Sequence, residues 1–384
     1  MPILTLITLI AIVLLVSYGA KLKRFAPLFR ITPVPFWCYF LPMLLGTIGF
    51  LTRESPLYPF LSKHLLPVCL VFLLIGADLR SLAKMGKTAI TAMLGGTLGV
   101  LIGAIVSFSL FRRWLPEDSW MGFGALSASW IGGSANMLAV KESIGVPDSV
   151  FTPLVIVDAF LSYTWMAVLM SGSGWQKKWD GKFRGDSDFG DSPHSKGTVP
   201  ECISPPFFYP FIFLSSTALL VSIFAQWVGA RLPPIGGIFT PYTWTILLVT
   251  TFSLLLSFTR FSQLSNEKTT KLGYFLLFLL ITSIGAKVDI NSISRAPLFL
   301  SAGVVWLLIH ACTLLLLGKI FRIPLFFLAT ASQANIGGPA SAPIVAAVYQ
   351  PKLASIGLLM AILGNILGTY LGLLSAATCR WIAR

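Results

Sequence analysis

Two short segments carry the residue types most able to do chemistry in this chain. SASWIGGSANMLAV (127–140) and SQANIGGPASAPIV (332–345) each set adjacent glycines among Ser, Asn and Gln inside otherwise apolar stretches. A glycine costs a helix about 1 kcal/mol relative to alanine, so each pair predicts a break. At membrane depth a break is tolerated only where protein or a water-filled cavity satisfies the freed backbone groups. A half-helix starting there points N–H groups and its positive dipole end at an anion, while the unwound carbonyls can hold a cation. The expected substrate-binding set is therefore Ser127, Ser129, Gly132, Gly133, Ser134 and Asn136 in one copy, with Ser332, Gln333, Asn335, Gly337, Gly338 and Ser341 in the other. The competing interpretation is small-residue packing between helices.

Asp158 lies in the middle of the apolar run VFTPLVIVDAFLSYTWMAVLM. A carboxylate there costs some 2.5–3.5 kcal/mol on insertion scales, so it should face the bundle interior as an ion ligand or proton carrier. A structural hydrogen-bonding role is the alternative. Asn365 occupies the matching place in the second half, and Tyr163 and Tyr370 follow the two at equal spacing, which makes these four the expected ion-coupling set. His310, inside AGVVWLLIHACTLLLLG, could relay protons or bond across helices. Asp78, Arg80, Lys287 and Asp289 flank short spans and read as interfacial charges. No HExxH, Walker loop, GxGxxG or nucleophile elbow is present, and His64, His194 and His310 sit in separate segments. The expectation is a non-enzyme without a resident metal or cofactor, driven by a Na+ or H+ gradient.

The elements that must position these residues follow from composition. The 384 residues are 55% hydrophobic and 11% charged, and the mean hydropathy is +0.83, far from the roughly one-quarter charged of soluble domains. Apolar runs near 3–20, 35–51, 65–79, 88–111, 120–140 and 150–171, then near 207–229, 240–258, 272–286, 296–318, 324–347 and 353–377, predict an all-α multi-pass protein with about 10–12 transmembrane helices. The N-terminal run lacks a basic flank and a cleavage site, so it is expected to stay as a helix. The polar stretch 174–206 reads as a flexible linker between an N-terminal unit, 1–173, and a C-terminal unit, 207–384. The net charge of +14 is dispersed through short loops, the pattern of topology signals, and excludes a nucleic-acid stripe. Five scattered cysteines form no ligand pair. The bilayer expected is a cell inner (plasma) membrane.

The two units are copies. Ile131-Gly132-Gly133 answers Ile336-Gly337-Gly338 at an offset of 205, Asp158 and Tyr163 answer Asn365 and Tyr370 at 207, and Ile75-Gly76-Ala77 answers Ile284-Gly285-Ala286. If every run spans, Lys and Arg divide 12 to 16 between the two sides; if the Gly-Gly segments are re-entrant they divide 18 to 10, with the linker on the basic side. The positive-inside bias of the second assignment makes inverted repeats the expectation, with the N-terminus outside.

The strings FLLIGADLRSL, SWIGGSANMLAV and SQANIGGPASAPIVAA, followed by LGNILGTYLG, resemble the bacterial and plant membrane family called domain of unknown function 819, the YjcL-like family. The resemblance implies a transporter-like protein distantly akin to cation/proton antiporters and to bile-acid or glutamate sodium symporters. It implies broken or re-entrant IGG segments, an elevator-type movement and, from such relatives, a homodimer. The central linker is a departure, being long and charged. The leading functional expectation is a Na+- or H+-coupled carrier of a small polar or anionic organic solute: an amino acid, a carboxylate or a short peptide. A monovalent cation/proton antiporter is the alternative, weakened by the scarcity of mid-membrane carboxylates. A non-transporting receptor or assembly protein comes third, since no soluble domain is present to pass on a signal.

Overall fold

In this computed structural model the structure describes residues 2–76, 82, 85–183, 208–236, 238–259, 265, 267–288, 294 and 296–384. Its helices are α1 (Pro2–Gly19), α2 (Ala26–Ile31), α3 (Val34–Thr47), α4 (Leu57–Phe60), α5 (Leu66–Leu74), α6 (Lys87–Phe111), α7 (Ser119–Gly132), α8 (Ser134–Ile144), α9 (Asp148–Ser171), α10 (Gln176–Phe183), α11 (Phe208–Gly229), α12 (Pro241–Ser257), α13 (Glu267–Gly285), α14 (Ala296–Ile320), α15 (Leu325–Ile336), α16 (Gly338–Tyr349) and α17 (Ala354–Ala383). Among the described residues the only β feature is an isolated bridge, Ile235–Phe239. The fold is that of an all-α membrane protein. Backbone groups surrounded by hydrocarbon must find partners within their own segment, and helices do this. Among the described residues six helical stretches are long and apolar enough to cross a bilayer, with a seventh if the pair Ile3–Gly19 and Lys23–Phe29, bent by 85°, counts as one. The shorter apolar helices include α3 and α12. Leucines, isoleucines and phenylalanines such as Leu15, Leu220, Ile7 and Phe224 stay exposed on the outer surface.

Each half supplies a broken element. α7 turns into α8 at Gly133, whose φ of +81° with ψ of 177° only glycine adopts readily. α15 turns into α16 at Gly337 and Gly338, the latter with φ of +67°. Both pairs are re-entrant hairpins. The second starts beside α10, where Trp179 Nε1 donates to the Ile323 carbonyl at 3.1 Å and the Leu325 amide donates to Asp180 Oδ1 at 2.9 Å. It returns to the same face, because Tyr349 at its far end donates to the Leu169 carbonyl at 2.7 Å. The first hairpin starts and ends on the opposite face. Trp120 at its start lies under the Arg380 guanidinium, 5.1 Å from the ring centre, and Arg380 also donates to the Gly236 carbonyl. At its end the Ser143 carbonyl accepts from Thr240 at 3.0 Å and Thr243 at 2.8 Å, in the neighbouring loop and helix. α9 runs from one face to the other, so the hairpins come in from opposite sides and the repeats are inverted.

The repeats interlock in packing. α6 and α14 run antiparallel, tied by Ser107 Oγ to the Ala302 carbonyl at 2.7 Å and Trp306 Nε1 to the Val100 carbonyl at 2.7 Å. α7 lies antiparallel along α17, where a Cβ on Gly372 would stand 2.5 Å from that of Ala128 and one on Gly368 would stand 2.8 Å from Gly132 Cα. α6–α9 and α14–α17 thus form one body that holds both hairpins, while α1–α5 and α11–α13 pack as a second. The hydrogen bonds between the bodies include Tyr39–Thr152 at 2.8 Å and Thr251–Tyr370 at 2.7 Å, besides those at Ser143.

The start of the expected linker is structured: α10 occupies Gln176–Phe183 and docks on the second hairpin through Trp179 and Asp180. An indole and a carboxylate that match unpaired backbone groups at a helix start outweigh the local polarity. The rest of the expected linker, together with Ala77, Asp78, Arg80 and Asp289, lies outside the described residues.

Candidate functional site

The hairpin tips meet α9 at the level of Asp158. Ser129 Oγ donates to Asp158 Oδ2 at 2.8 Å and Trp130 Nε1 donates to Oδ1 at 3.0 Å, so the last turn of α7 grips the carboxylate. One turn further along α9, Ser162 Oγ lies 3.5 Å from Asp158 Oδ1 and donates to the Ile336 carbonyl, the last of α15, at 2.9 Å. Asp158 and Ser162 therefore join the tips of hairpins from opposite faces. The pairing follows from helix geometry, since residues four apart share a face. The sequence expectation lacked Ser162 and Trp130, although Ser162 stands four residues after the singled-out aspartate.

The same arrangement recurs in the other copy with polar neutral groups. Thr369, four residues after Asn365, donates to Asn136 Oδ1 at 2.5 Å. Asn136 Nδ2 donates to the Gly132 carbonyl at 2.6 Å and the Asn365 carbonyl at 3.2 Å. The Asn365 side-chain oxygen lies 3.7 Å from where a Gly133 Cβ would stand, at the tip of the first hairpin. Ser134 is the first residue of α8 and is half-buried there.

On the second hairpin Gln333 Nε2 donates to Ser341 Oγ at 2.8 Å, across the turn at Gly337, where any Cβ would collide with both side chains. Gln333 Oε1 is buried and accepts no hydrogen bond from the described residues. Asn335 faces α6, accepting from Thr97 at 3.0 Å and donating to the Ala331 carbonyl at 3.0 Å. Ser332 Oγ accepts from Trp165 Nε1 at 2.8 Å and lies 2.9 Å from His310 Nε2. His310 Nδ1 lies 3.0 Å from the Gly96 carbonyl, which can only accept, so Nδ1 carries a proton and donates to it.

Three expected residues stand apart. Ser127 bonds to Ser375 at 2.7 Å and to the Phe123 carbonyl, inside the α7–α17 seam and away from the tip. Tyr370 bonds to Thr251 on α12. Gly132 packs against α17 backbone so closely that a Cβ there would stand 2.8 Å from the Gly364 carbonyl, which is the close-packing use of a glycine. Tyr163 follows Ser162 on α9 and is half-buried. Among the described residues no three His, Cys, Asp or Glu side chains gather as a metal cluster.

A family model described as a protein of unknown function, DUF819, matches residues 5–382. The chain belongs to the DUF819 family. It is also 25% identical, over 346 residues covering 86% of each chain, to the uncharacterized membrane protein YjcL of Bacillus subtilis (strain 168). The match runs through both hairpins, α9 and α17, so the site described above lies wholly inside the family's shared region.

Proposed function

We propose that this protein is a secondary transporter for a small polar or anionic organic solute, coupled to Na+ or H+ through Asp158, in a cell inner membrane with the linker on the cytoplasmic side. The observation that carries this reading is the junction at α9, where a mid-membrane carboxylate and Ser162 link the tips of two oppositely inserted hairpins. Inverted repeats with discontinuous helices place solute and ion sites near the bilayer midplane in many secondary carriers.

The local chemistry supports an anionic or polar solute. α8 and α16 both begin at the tips, and the first N–H groups of a helix have no partner within it, so two positive dipole ends face the midplane. Gln333 adds a spare buried acceptor, and each such group left unpaired costs about 1–3 kcal/mol. Opposite them, the Ile336 carbonyl, Ser129 Oγ and Asp158 offer oxygen donors to a hard cation. The packing into two bodies, each drawing helices from both repeats, suits an elevator-type displacement of the hairpin body.

The test is a thermal-shift screen of purified protein against amino acids, dipeptides and carboxylates, each with sodium, with potassium and at two pH values. A ligand at a hundredfold excess over its Kd adds about 2.7 kcal/mol to apparent stability. The transport reading expects a solute hit that depends on one ion. A response to cations with no solute hit would favour cation/proton exchange and overturn the solute assignment.

A further inference from the structure

The two hairpin seams are unequal, and the difference is written into the sequence. α7 sits tightly on α17 because Gly368, Gly372 and Ala376 offer no side-chain bulk. At the same 207-residue offset that relates Asn365 to Asp158, the α9 counterparts are Leu161, Trp165 and Leu169. Leu161 packs against Gly303 of α14, while Trp165 and Leu169 line a cavity of about 600 Å³ together with Ala329 and Ser332 of α15, with Ala311 and Leu315 of α14 as its other wall. The volume lies within the usual range of ligand pockets, roughly 300–1,000 Å³.

The lining says what fits. Its walls are almost wholly apolar, and its two hydroxyls are committed, Ser332 to Trp165 and His310 and Tyr349 to the Leu169 carbonyl. A polar solute therefore finds no spare partner inside. At the mouth stand Trp175, Lys178, Trp179 and Lys182, the lysines four residues apart and so on one side of α10. Trp and Lys in this combination mark the level of lipid headgroups. Val168, Leu315 and Trp175 are 51%, 43% and 74% exposed on the membrane-facing perimeter, so the cavity opens sideways to the bilayer.

We propose that this cavity binds an anionic membrane phospholipid, its phosphate at Lys178 and Lys182 and one acyl chain in the slot that ends at Ser332. Charge complementarity selects the headgroup, and the lateral opening selects a bilayer lipid over a soluble amphiphile. Because α10 is pinned to the start of the second hairpin through Trp179 and Asp180, the lipid sits against the element that moves in any hairpin rearrangement. The inference stands whether or not the protein transports.

Native mass spectrometry of the detergent-purified full chain tests it, with phosphatidylglycerol, phosphatidylcholine of the same chains, and oleate as probes. The variants are K178Q/K182Q, on the exposed side of α10, and A311F, which fills the slot; melting temperatures check that each is folded. One phosphatidylglycerol should bind the wild type at least tenfold more tightly than phosphatidylcholine, and both variants should lose that preference. Equal binding of the two lipids, or phosphatidylglycerol binding unchanged in the folded lysine variant, would overturn the proposal. So would oleate outcompeting the phospholipid, which would assign the slot to a soluble amphiphile.

Discussion

Replacing Asp158 with asparagine separates the carboxylate's charge from its shape. The wild-type group accepts from Ser129 at 2.8 Å and Trp130 at 3.0 Å, with Ser162 at 3.5 Å as a weak third. Hydrogen bonds to a charged group are worth about 1.5–3 kcal/mol against about 0.5–1.5 for neutral ones, so neutralising two good bonds costs roughly 2 kcal/mol. Against that, a mid-membrane carboxylate carries an insertion cost of about 2.5–3.5 kcal/mol, of which the uncharged amide removes a part. The amide oxygen can face Trp130, which only donates, while its NH2 faces Ser129, whose hydroxyl can turn to accept. The two effects nearly cancel, and D158N should insert and melt within about 2 kcal/mol of the wild type. Its ion response should vanish. The assay is the melting temperature of both proteins in detergent, with sodium exchanged for potassium at constant ionic strength and at mildly acidic and neutral pH. An ion stabilisation of equal size in D158N would remove Asp158 from the coupling step, and failure of the variant to insert would show the energetic balance to be wrong.

The remaining predictions concern the scaffold. G133A should cost about 1–3 kcal/mol, because φ near +81° strains any residue with a Cβ even though the nearest atom is 3.7 Å away; an unchanged melting temperature would contradict the break geometry. K141M removes the buried cation that pairs with Glu142 at 3.1 Å and Asp148 at 3.2 Å where the first hairpin meets α9. It should cost about 3 kcal/mol, the low end for a broken buried pair since Asp148 is 33% exposed, and adding E142Q should restore part of that in a chemical-denaturation series. In a cysteine-free background, E117C and S149C flank the first hairpin and K319C and Q350C the second. An impermeant maleimide applied to right-side-out vesicles should label the first pair and spare the second, whereas labelling split within a pair would mean that a hairpin crosses the bilayer.

Much of this architecture was legible because membrane folding imposes few solutions on apolar runs. The glycine pairs announced both breaks, and the matched offsets announced the duplication. The loop charges favoured re-entrance over crossing, which the contacts of Trp120, Ser143, Leu325 and Tyr349 then bear out. Single residues were harder to place. Ser127 and Ser129 differ by two positions and so face opposite sides of α7, one into the α17 seam and one onto Asp158. Without the angle at which α7 meets α9, spacing alone cannot rank them. Trp130 and Trp165 carry no spacing signal that sets them apart from other apolar positions, yet their indole N–H groups reach Asp158 and Ser332. The docking of α10 escaped notice because its polar composition reads as linker, and its partners are backbone groups 144 and 145 residues away in sequence.

The central claim, ion-coupled solute movement through Asp158, is tested most directly by electrical recording from proteoliposomes adsorbed on a solid-supported membrane. Mixtures of amino acids, carboxylates and short peptides are applied in turn with sodium and at lowered pH, to wild-type and D158N protein side by side. The account predicts a transient current for one solute class in the presence of one ion, absent from D158N liposomes of equal protein content. Currents of the same size in both proteins, or none from the wild type with any solute and ion, would contradict it.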